Sequence, residues 1–366
     1  MDTSATEIRF DKAGVCSFCH DFDQRIRPVL ERSRTMQGRQ QLEGIIEWIR
    51  STGKRREYDS ILALSGGVDS SFLAHVVAQY ELRPLAVCVD TGWSTPVSTR
   101  NIESLAEKLG LPLHVIPVPF DAMRRLQVAF YVASVKNCEI PQDHAYLAML
   151  YREASRRGIR AILSGGNHST ESILPQSWGF NSADVRHIRS IHADCGTGSL
   201  RGFPTLGFFR RYLYYPAIRG IREVRLLNFM PYERAYAKRV LVEKYGWSDY
   251  GAKHFESVLT RFYQGYYLPT KFGIDKRKAH FSSLILSGQM TREEALEELR
   301  KPPYPPGILE NDMREIAEKL ELMPEEWKRI LAAPARLHEE FRSLRALFAA
   351  KDLAVQSLGI RARMKR

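Results

Sequence analysis

Ile61-Leu-Ala-Leu-Ser-Gly-Gly-Val-Asp-Ser-Ser71, followed at once by Phe72-Leu-Ala-His-Val-Val-Ala-Gln-Tyr80, reads as a buried strand, a tight glycine turn and a helix. The apolar run Ile61 to Leu64 is the strand, and Phe72, Leu73, Val76, Val77 and Tyr80 recur at helical spacing. Ser65, Gly66 and Gly67 form the turn; glycine lets the backbone reach positive φ and approach a ligand closely. Backbone N–H groups and the positive end of a helix then point at one spot, which suits an anion. Leu64, Ser65, Gly66, Gly67, Asp69, Ser70 and Ser71 are the expected phosphate contacts. Asp69, in the first helical turn, suits the helix dipole and can hold Mg2+ beside a phosphate. A capped turn with no ligand is the alternative; two glycines bracketed by Ser65 and Asp69-Ser70-Ser71 after an apolar strand favour the phosphate loop. No Lys follows the glycines, so this is not a Walker loop.

The run resembles the SGGxDS signature of the PP-loop ATP pyrophosphatases, in which it grips the pyrophosphate released as ATP adenylates a substrate. The chain of 366 residues, 44% of them hydrophobic, can build a large core in more than one domain. Its formal net charge of +12 suits an anionic partner such as a nucleic acid, a nucleotide sugar or an acidic protein, without choosing among them. Five cysteines are too few for a disulfide scaffold, and neither a membrane-spanning run nor a signal-peptide core is present, so a cytoplasmic enzyme is expected.

Around the glycine turn, strands and helices alternate from residue 58 to about 230, which predicts a doubly wound parallel sheet. The expected strands are Leu85–Asp90, Leu113–Val118, Arg160–Ser164 and a last one over Val224–Phe229. Asp90, at the carboxyl end of its strand, is a candidate for the ribose or adenine region, or else a turn cap. Gly165-Gly-Asn-His-Ser-Thr-Glu-Ser172 also follows a strand and faces the same crevice. It is similar to the third-strand loop of the NAD and GMP synthetases, which would make Glu171 a Mg2+-side carboxylate and put Gly165 and Asn167 on the nucleotide; a glycine-capped polar loop is the alternative. Residues 175–222, rich in Gly, Arg and aromatics, read as a substrate loop with little regular structure.

Cys16 and Cys19 form a C-x-x-C knuckle, half of a tetrahedral zinc site or simply two thiols in a turn. Lys271, Lys276, Arg277 and Lys278 crowd into Lys271-Phe-Gly-Ile-Asp-Lys-Arg-Lys-Ala-His280, where cations could stabilise a departing pyrophosphate or form an ordinary charged face. His254 and Glu256 could face a substrate. Residues 291–366 are helical and charged, with Pro302–Pro306 as a rigid linker and a basic end at Arg361–Arg366.

Together Asp2-Thr-Ser, the knuckle, Ser65–Ser71, Tyr245–Ser257 and Lys271–His280 resemble the N-acetyl sugar amidotransferases, a PP-loop branch of bacterial surface-polysaccharide synthesis that includes lipopolysaccharide O-antigen. The resemblance implies three parts: the knuckle (residues 1–22), an ATP-binding PP-loop domain (23–235) and a helical C-terminal region (236–366). It implies ATP-dependent conversion of an acetamido group, on a UDP-linked N-acetylated sugar, into an acetamidino group. Mg2+ would lie on Asp69 and Glu171, with Lys271, Lys276 and Arg277 on the developing charge. Ammonia would come from separate HisH-like and HisF-like glutaminase proteins; residue 2 is not cysteine and no Gly-x-Cys-x-Gly elbow occurs. In the family a second C-x-x-C typically precedes Asp-Thr-Ser, and none stands before Asp2 here. Zinc on Cys16 and Cys19 would then be completed by Cys138 or Cys195, or by residues before Met1, or zinc does not bind. The rivals are a tRNA-thiolating PP-loop enzyme, although no RNA-binding module is evident, and a nucleotide-binding protein without chemistry.

Overall fold

The computed structural model describes residues 1–251, 253, 255–305 and 307–357. Its centre is a sheet of five parallel strands, β1 (Ser60–Ala63), β2 (Pro84–Asp90), β3 (Leu113–Pro117), β4 (Ala161–Leu163) and β5 (Arg222–Val224), in the order β3-β2-β1-β4-β5. Every residue of β1 and β4 is buried, as a strand covered on both faces requires. From β1 the chain moves outward through β2 to β3, then returns to place β4 on the other side of β1. That reversal opens a crevice at the carboxyl ends of β1 and β4, where α/β sheets bind ligands. The last strand is shorter and earlier than the sequence suggests: β5 ends at Val224, and Leu226–Phe229 is a 3-10 turn whose Leu226 and Leu227 bury beyond the ladder.

The helices before and around the sheet are α1 (Ser17–Asp21), α2 (Arg27–Ser33), α3 (Met36–Gly53), α4 (Val68–Gln79), α5 (Pro96–Lys108), α6 (Phe120–Val132) and α7 (Ile140–Arg157). Local chemistry sets their ends. Thr95 caps the Ser98 amide ahead of Pro96 in α5, and Gly158 closes α7 at φ +67°. One apolar layer joins α3, α4 and the sheet through Leu42, Ile46, Leu62, Phe72 and Val76. The opposite layer joins α6 and α7 to the sheet through Val87, Leu126, Phe130 and Leu150.

Beyond β4 come α8 (His168–Glu171) and α9 (Val185–Cys195). Residues 175–222 are therefore more regular than expected: α9 buries Val185, Ile188 and Ile191 along one side, and Arg210–Ile218 is π-helical. The remaining helices are α10 (Arg234–Tyr245), α11 (Val258–Phe262), α12 (Leu268–Phe272), α13 (Arg277–Leu286), α14 (Arg292–Arg300), α15 (Leu309–Lys319), α16 (Pro324–Ala332) and α17 (Arg345–Ser357). This helical region shares the sheet's core. Tyr131 of α6 meets Tyr267 edge-on at 5.3 Å and Trp327 at 5.0 Å between ring centroids. The N-terminal residues join it too: Asp2 takes the Lys278 ammonium at 2.5 Å, and the Met1 amine donates to Ser282 Oγ at 3.0 Å.

The closest backbone approach in the crevice is at Gly165, where an added Cβ would lie 2.6 Å from the Ser70 amide nitrogen and 2.8 Å from the Asp69 carbonyl carbon. Gly165→Ala should lower stability by about 1–3 kcal/mol in urea unfolding, the usual cost of overpacking. Gly44, exposed inside α3 with open space around its would-be Cβ, is the control. Gly44→Ala should raise stability by about 0.5–1 kcal/mol through helix propensity.

Candidate active site

The glycine turn is held from behind. Gly66 has φ +81°, its carbonyl accepts from Trp247 Nε1 at 3.3 Å, and the Ser65 carbonyl accepts from Ser98 Oγ at 3.2 Å. Ser70 Oγ accepts from the Ser65 amide at 3.3 Å and donates to the Gly67 carbonyl at 3.1 Å. The turn's carbonyls are thereby occupied, and the first amides of α4, which lack intrahelical acceptors, open on a cavity of roughly 140 Å3. Ser65, Gly67, Asp69 and Ser70 line one wall, and Ser164, Gly165, Gly166 and Glu171 line the wall after β4. Arg234, Tyr250, Lys253 and Glu256 close it from later in the chain.

Two carboxylates converge on one cation in this space. Lys253 Nζ lies 2.8 Å from Glu171 Oε1, 3.7 Å from Asp69 Oδ2 and 3.4 Å from Thr170 Oγ1. Asp69 Oδ1 accepts from the Tyr232 hydroxyl. Burial, and then the Asp69 charge, push the Tyr232 phenol well above its usual range, so it stays protonated and donates to Asp69. Burial and the Glu256 charge likewise raise Tyr250. Because Asp69 and Glu171 already meet at a single ammonium, the pair can also share a hard divalent ion, with phosphate oxygens and water completing its shell. The donor set therefore fits Mg2+.

The expected site residues divide. Ser65, Gly67, Asp69, Ser70, Gly165 and Glu171 meet at the cavity. Gly66 shapes the turn. Leu64 is fully buried with its amide on the Val87 carbonyl, and Ser71 is fully buried, so neither reaches a ligand. Asn167 caps the Thr170 amide at 2.9 Å and donates to the Gly165 carbonyl at 3.3 Å; it builds the loop from within. Asp90 takes the Gly92 amide at 2.8 Å, which is the turn-cap alternative.

The cation cluster lies elsewhere. Lys271 donates to the Leu331 carbonyl at 3.1 Å and sits over Tyr267. Lys276 lies over Tyr263, 3.9 Å from Glu139. Arg277 is paired with Asp275 and bonds the Lys301 carbonyl at 2.9 Å. None of the three lines the cavity, whose cations among the described residues are Lys253 and Arg234. Lys253 stands inside the Tyr245–Ser257 block, so the segment was visible in the sequence although the lysine was not singled out. Tyr232 and Arg234 carry no sequence signal. His254 and the basic end of the chain lie outside the described residues.

The zinc expectation finds no completed site. Cys16 and Cys19 face each other at 3.4 Å, and His20 is held by Asp11. Cys138 is buried against the Phe130 and Val135 carbonyls, and Cys195 lies beside Arg336. Neither completes a knuckle: among the described residues no three His, Cys, Asp or Glu side chains gather as metal ligands.

Comparison with known proteins finds two separate stretches of the chain that match known families. Residues 60–166, from β1 through the Gly165 loop, match the asparagine synthase family, and residues 256–353 match the family described as LPS biosynthesis protein WbpG-like, C-terminal domain. No curated protein matches. Among solved structures, an NH3-dependent NAD synthetase from Campylobacter jejuni is 15% identical, covering 43% of this chain and 73% of its own, at TM-score 0.30. An NMN synthetase from Francisella tularensis is 13% identical, covering 58% and 94%, at 0.31. The U34-tRNA thiolase NcsA from Methanococcus maripaludis is 16% identical, covering 68% and 80%, at 0.30. Likenesses so distant carry no functional inference. The two family matches, one on the stretch with the glycine turn and one on the C-terminal helices, together support the resemblance to the N-acetyl sugar amidotransferases of the PP-loop superfamily.

Proposed function

We propose that the protein adenylates the acetamido oxygen of a nucleotide-linked N-acetyl sugar and lets ammonia convert that group into an acetamidino group. The observation that carries the reading is the meeting of Asp69, Glu171 and Lys253 above the glycine turn. An amide oxygen is a poor leaving group, and ammonia does not displace it. If that oxygen attacks the α-phosphorus of ATP, the bond to the β-phosphate breaks and pyrophosphate leaves. Ammonia then adds to the imidate carbon and loses a proton, AMP departs with the former amide oxygen, and an amidine remains.

In this scheme the first amides of α4 and the Ser65 and Ser70 hydroxyls hold the diphosphate. Lys253 and Arg234 neutralise the charge that grows on it. Asp69 and Glu171 would hold Mg2+ against the phosphates, and the ion would supply charge neutralisation there. Tyr232 fixes the Asp69 carboxylate. No side chain need act as a nucleophile, because positioning and electrostatics suffice. The three cations of the 271–277 stretch remain a proposal only as indirect supports, since their partners lie among the helices. Among the described residues no cysteine lines the cavity, and thiolation has no specific observation in its favour there.

No helix among the described residues is long and apolar enough to cross a membrane. We place the reaction in the cytoplasm, on a UDP-linked sugar, with ammonia delivered by a separate glutaminase.

Incubation with ATP, Mg2+, ammonium and a UDP-linked N-acetyl sugar should release AMP and pyrophosphate in equal amounts, with a product mass that reflects replacement of O by NH. Glutamine alone should not substitute for ammonium; turnover on glutamine by the purified chain would refute the separate ammonia source. Lys253→Ala should lower kcat by about 100- to 1,000-fold, the usual loss for one transition-state donor, in a steady-state pyrophosphate assay. An unchanged kcat would remove Lys253 from the mechanism.

A further inference from the structure

A second cavity, roughly 550 Å3, opens between α9, the 205–210 stretch and Leu344. Tyr146 of α7 lines the PP-loop cavity. His144, two residues earlier, donates from Nδ1 to the Ser182 carbonyl at 2.7 Å and accepts the Leu206 amide on Nε2 at 2.9 Å. Among the described residues the two cavities share no lining residue. Burial pushes the His144 pKa down to about 4, which suits a neutral ring with one donor and one acceptor.

Three arginines line this second space: Arg186 and Arg189, one turn apart on α9, and Arg210 at the start of the π-helical run. All three are exposed, and none has a hydrogen-bond or ion-pair partner among the described residues. The nearby Asp184 carboxylate makes no ion pair with them; its oxygens take the His187 amide at 3.0 Å and the Leu344 amide at 2.7 Å. Like charges a turn apart repel, and an anion between them relieves that cost. The rest of the lining is largely apolar, with Phe208 and Phe209 ring against ring at 5.5 Å and Phe209 65% exposed. Guanidinium forks match phosphate oxygens, and an exposed aromatic face suits a flat ring. The volume falls in the range of about 300–1,000 Å3 usual for small-molecule pockets.

From this geometry we infer a binding site for a nucleoside diphosphate, with its phosphates on Arg186, Arg189 and Arg210 and its base against Phe209. Two sources share that chemistry. One is the nucleotide half of the sugar substrate, which rests on the proposed function; the other is a separate purine nucleotide, which does not.

Equilibrium dialysis of the full chain with UDP, ADP and inorganic pyrophosphate tests this. The Arg186→Gln/Arg189→Gln/Arg210→Gln variant should weaken nucleotide binding by about 100-fold while keeping the wild-type melting temperature, since the side chains removed are exposed and unpaired. Phe209→Ala should weaken nucleotides but not pyrophosphate. Preference for UDP identifies the substrate's nucleotide, and preference for ADP identifies an effector. Lys253→Ala, which alters only the first cavity, should leave UDP binding intact, so failure of the ATP chemistry and failure of this site are read separately. Nucleotide affinity equal in wild type and the triple variant, or binding of pyrophosphate alone, would overturn the assignment.

Discussion

Everything at the candidate active site depends on two strand-end loops that touch backbone to backbone. Gly165 crosses the first turn of α4 so closely that a Cβ there would meet the Ser70 amide nitrogen at 2.6 Å. This contact lies at the reversal between β1 and β4, the one place where the sheet order leaves a crevice between neighbouring strands. It brings Asp69, at the start of α4, and Glu171, at the end of α8, onto a common cation. A wider approach would separate the carboxylates and open the cavity to water, where each charge is worth far less.

The rest of the site is a clasp laid over that contact by residues 245–257. Trp247 bonds the Gly66 carbonyl, and Asn101 and Ser248 exchange hydrogen bonds at 2.9 and 2.8 Å. The Thr95 amide donates to the Glu256 carbonyl at 2.9 Å, and the Val258 amide to the Trp93 carbonyl at 3.0 Å. Both ends of the clasp are therefore fixed to the α4–α5 side of the sheet, with Lys253 between them. The match to the WbpG-like C-terminal domain begins at residue 256, where this segment returns to the loop after β2. The stretch from β1 to α8 supplies the glycine turn and the two carboxylates, and Lys253 comes from the segment just before the second family match.

Much of this was legible in the sequence because local rules decided it. Strand, turn and helix over 61–80 follow from an apolar run, two glycines and helical periodicity, and three of the four other strands stand where apolar runs placed them. What was lost depended on partners far along the chain. Lys271, Lys276 and Arg277 read as catalytic because clustered cations look alike whether they face a phosphate or an aspartate; Asp275 and the Leu331 and Lys301 carbonyls claim two of them. Asn167 looked like a ligand residue because a cap and a contact use the same amide. The Leu226–Leu227 pair extended the last strand on paper because burial after a ladder leaves the same apolar mark as burial within it. Tyr232 could not be found at all, since only the packing of α4 against α10 brings it to Asp69.

In the proposed reaction the site cleaves ATP between its α- and β-phosphates with the sugar's amide oxygen as the attacking atom. The direct measurement is a turnover with substrate carrying oxygen-18 in the acetamido carbonyl, followed by mass spectrometry of the nucleotide and phosphate products. The label should appear in AMP and leave pyrophosphate unlabelled. Label recovered in inorganic phosphate alongside ADP, or retained in the sugar product, would contradict it.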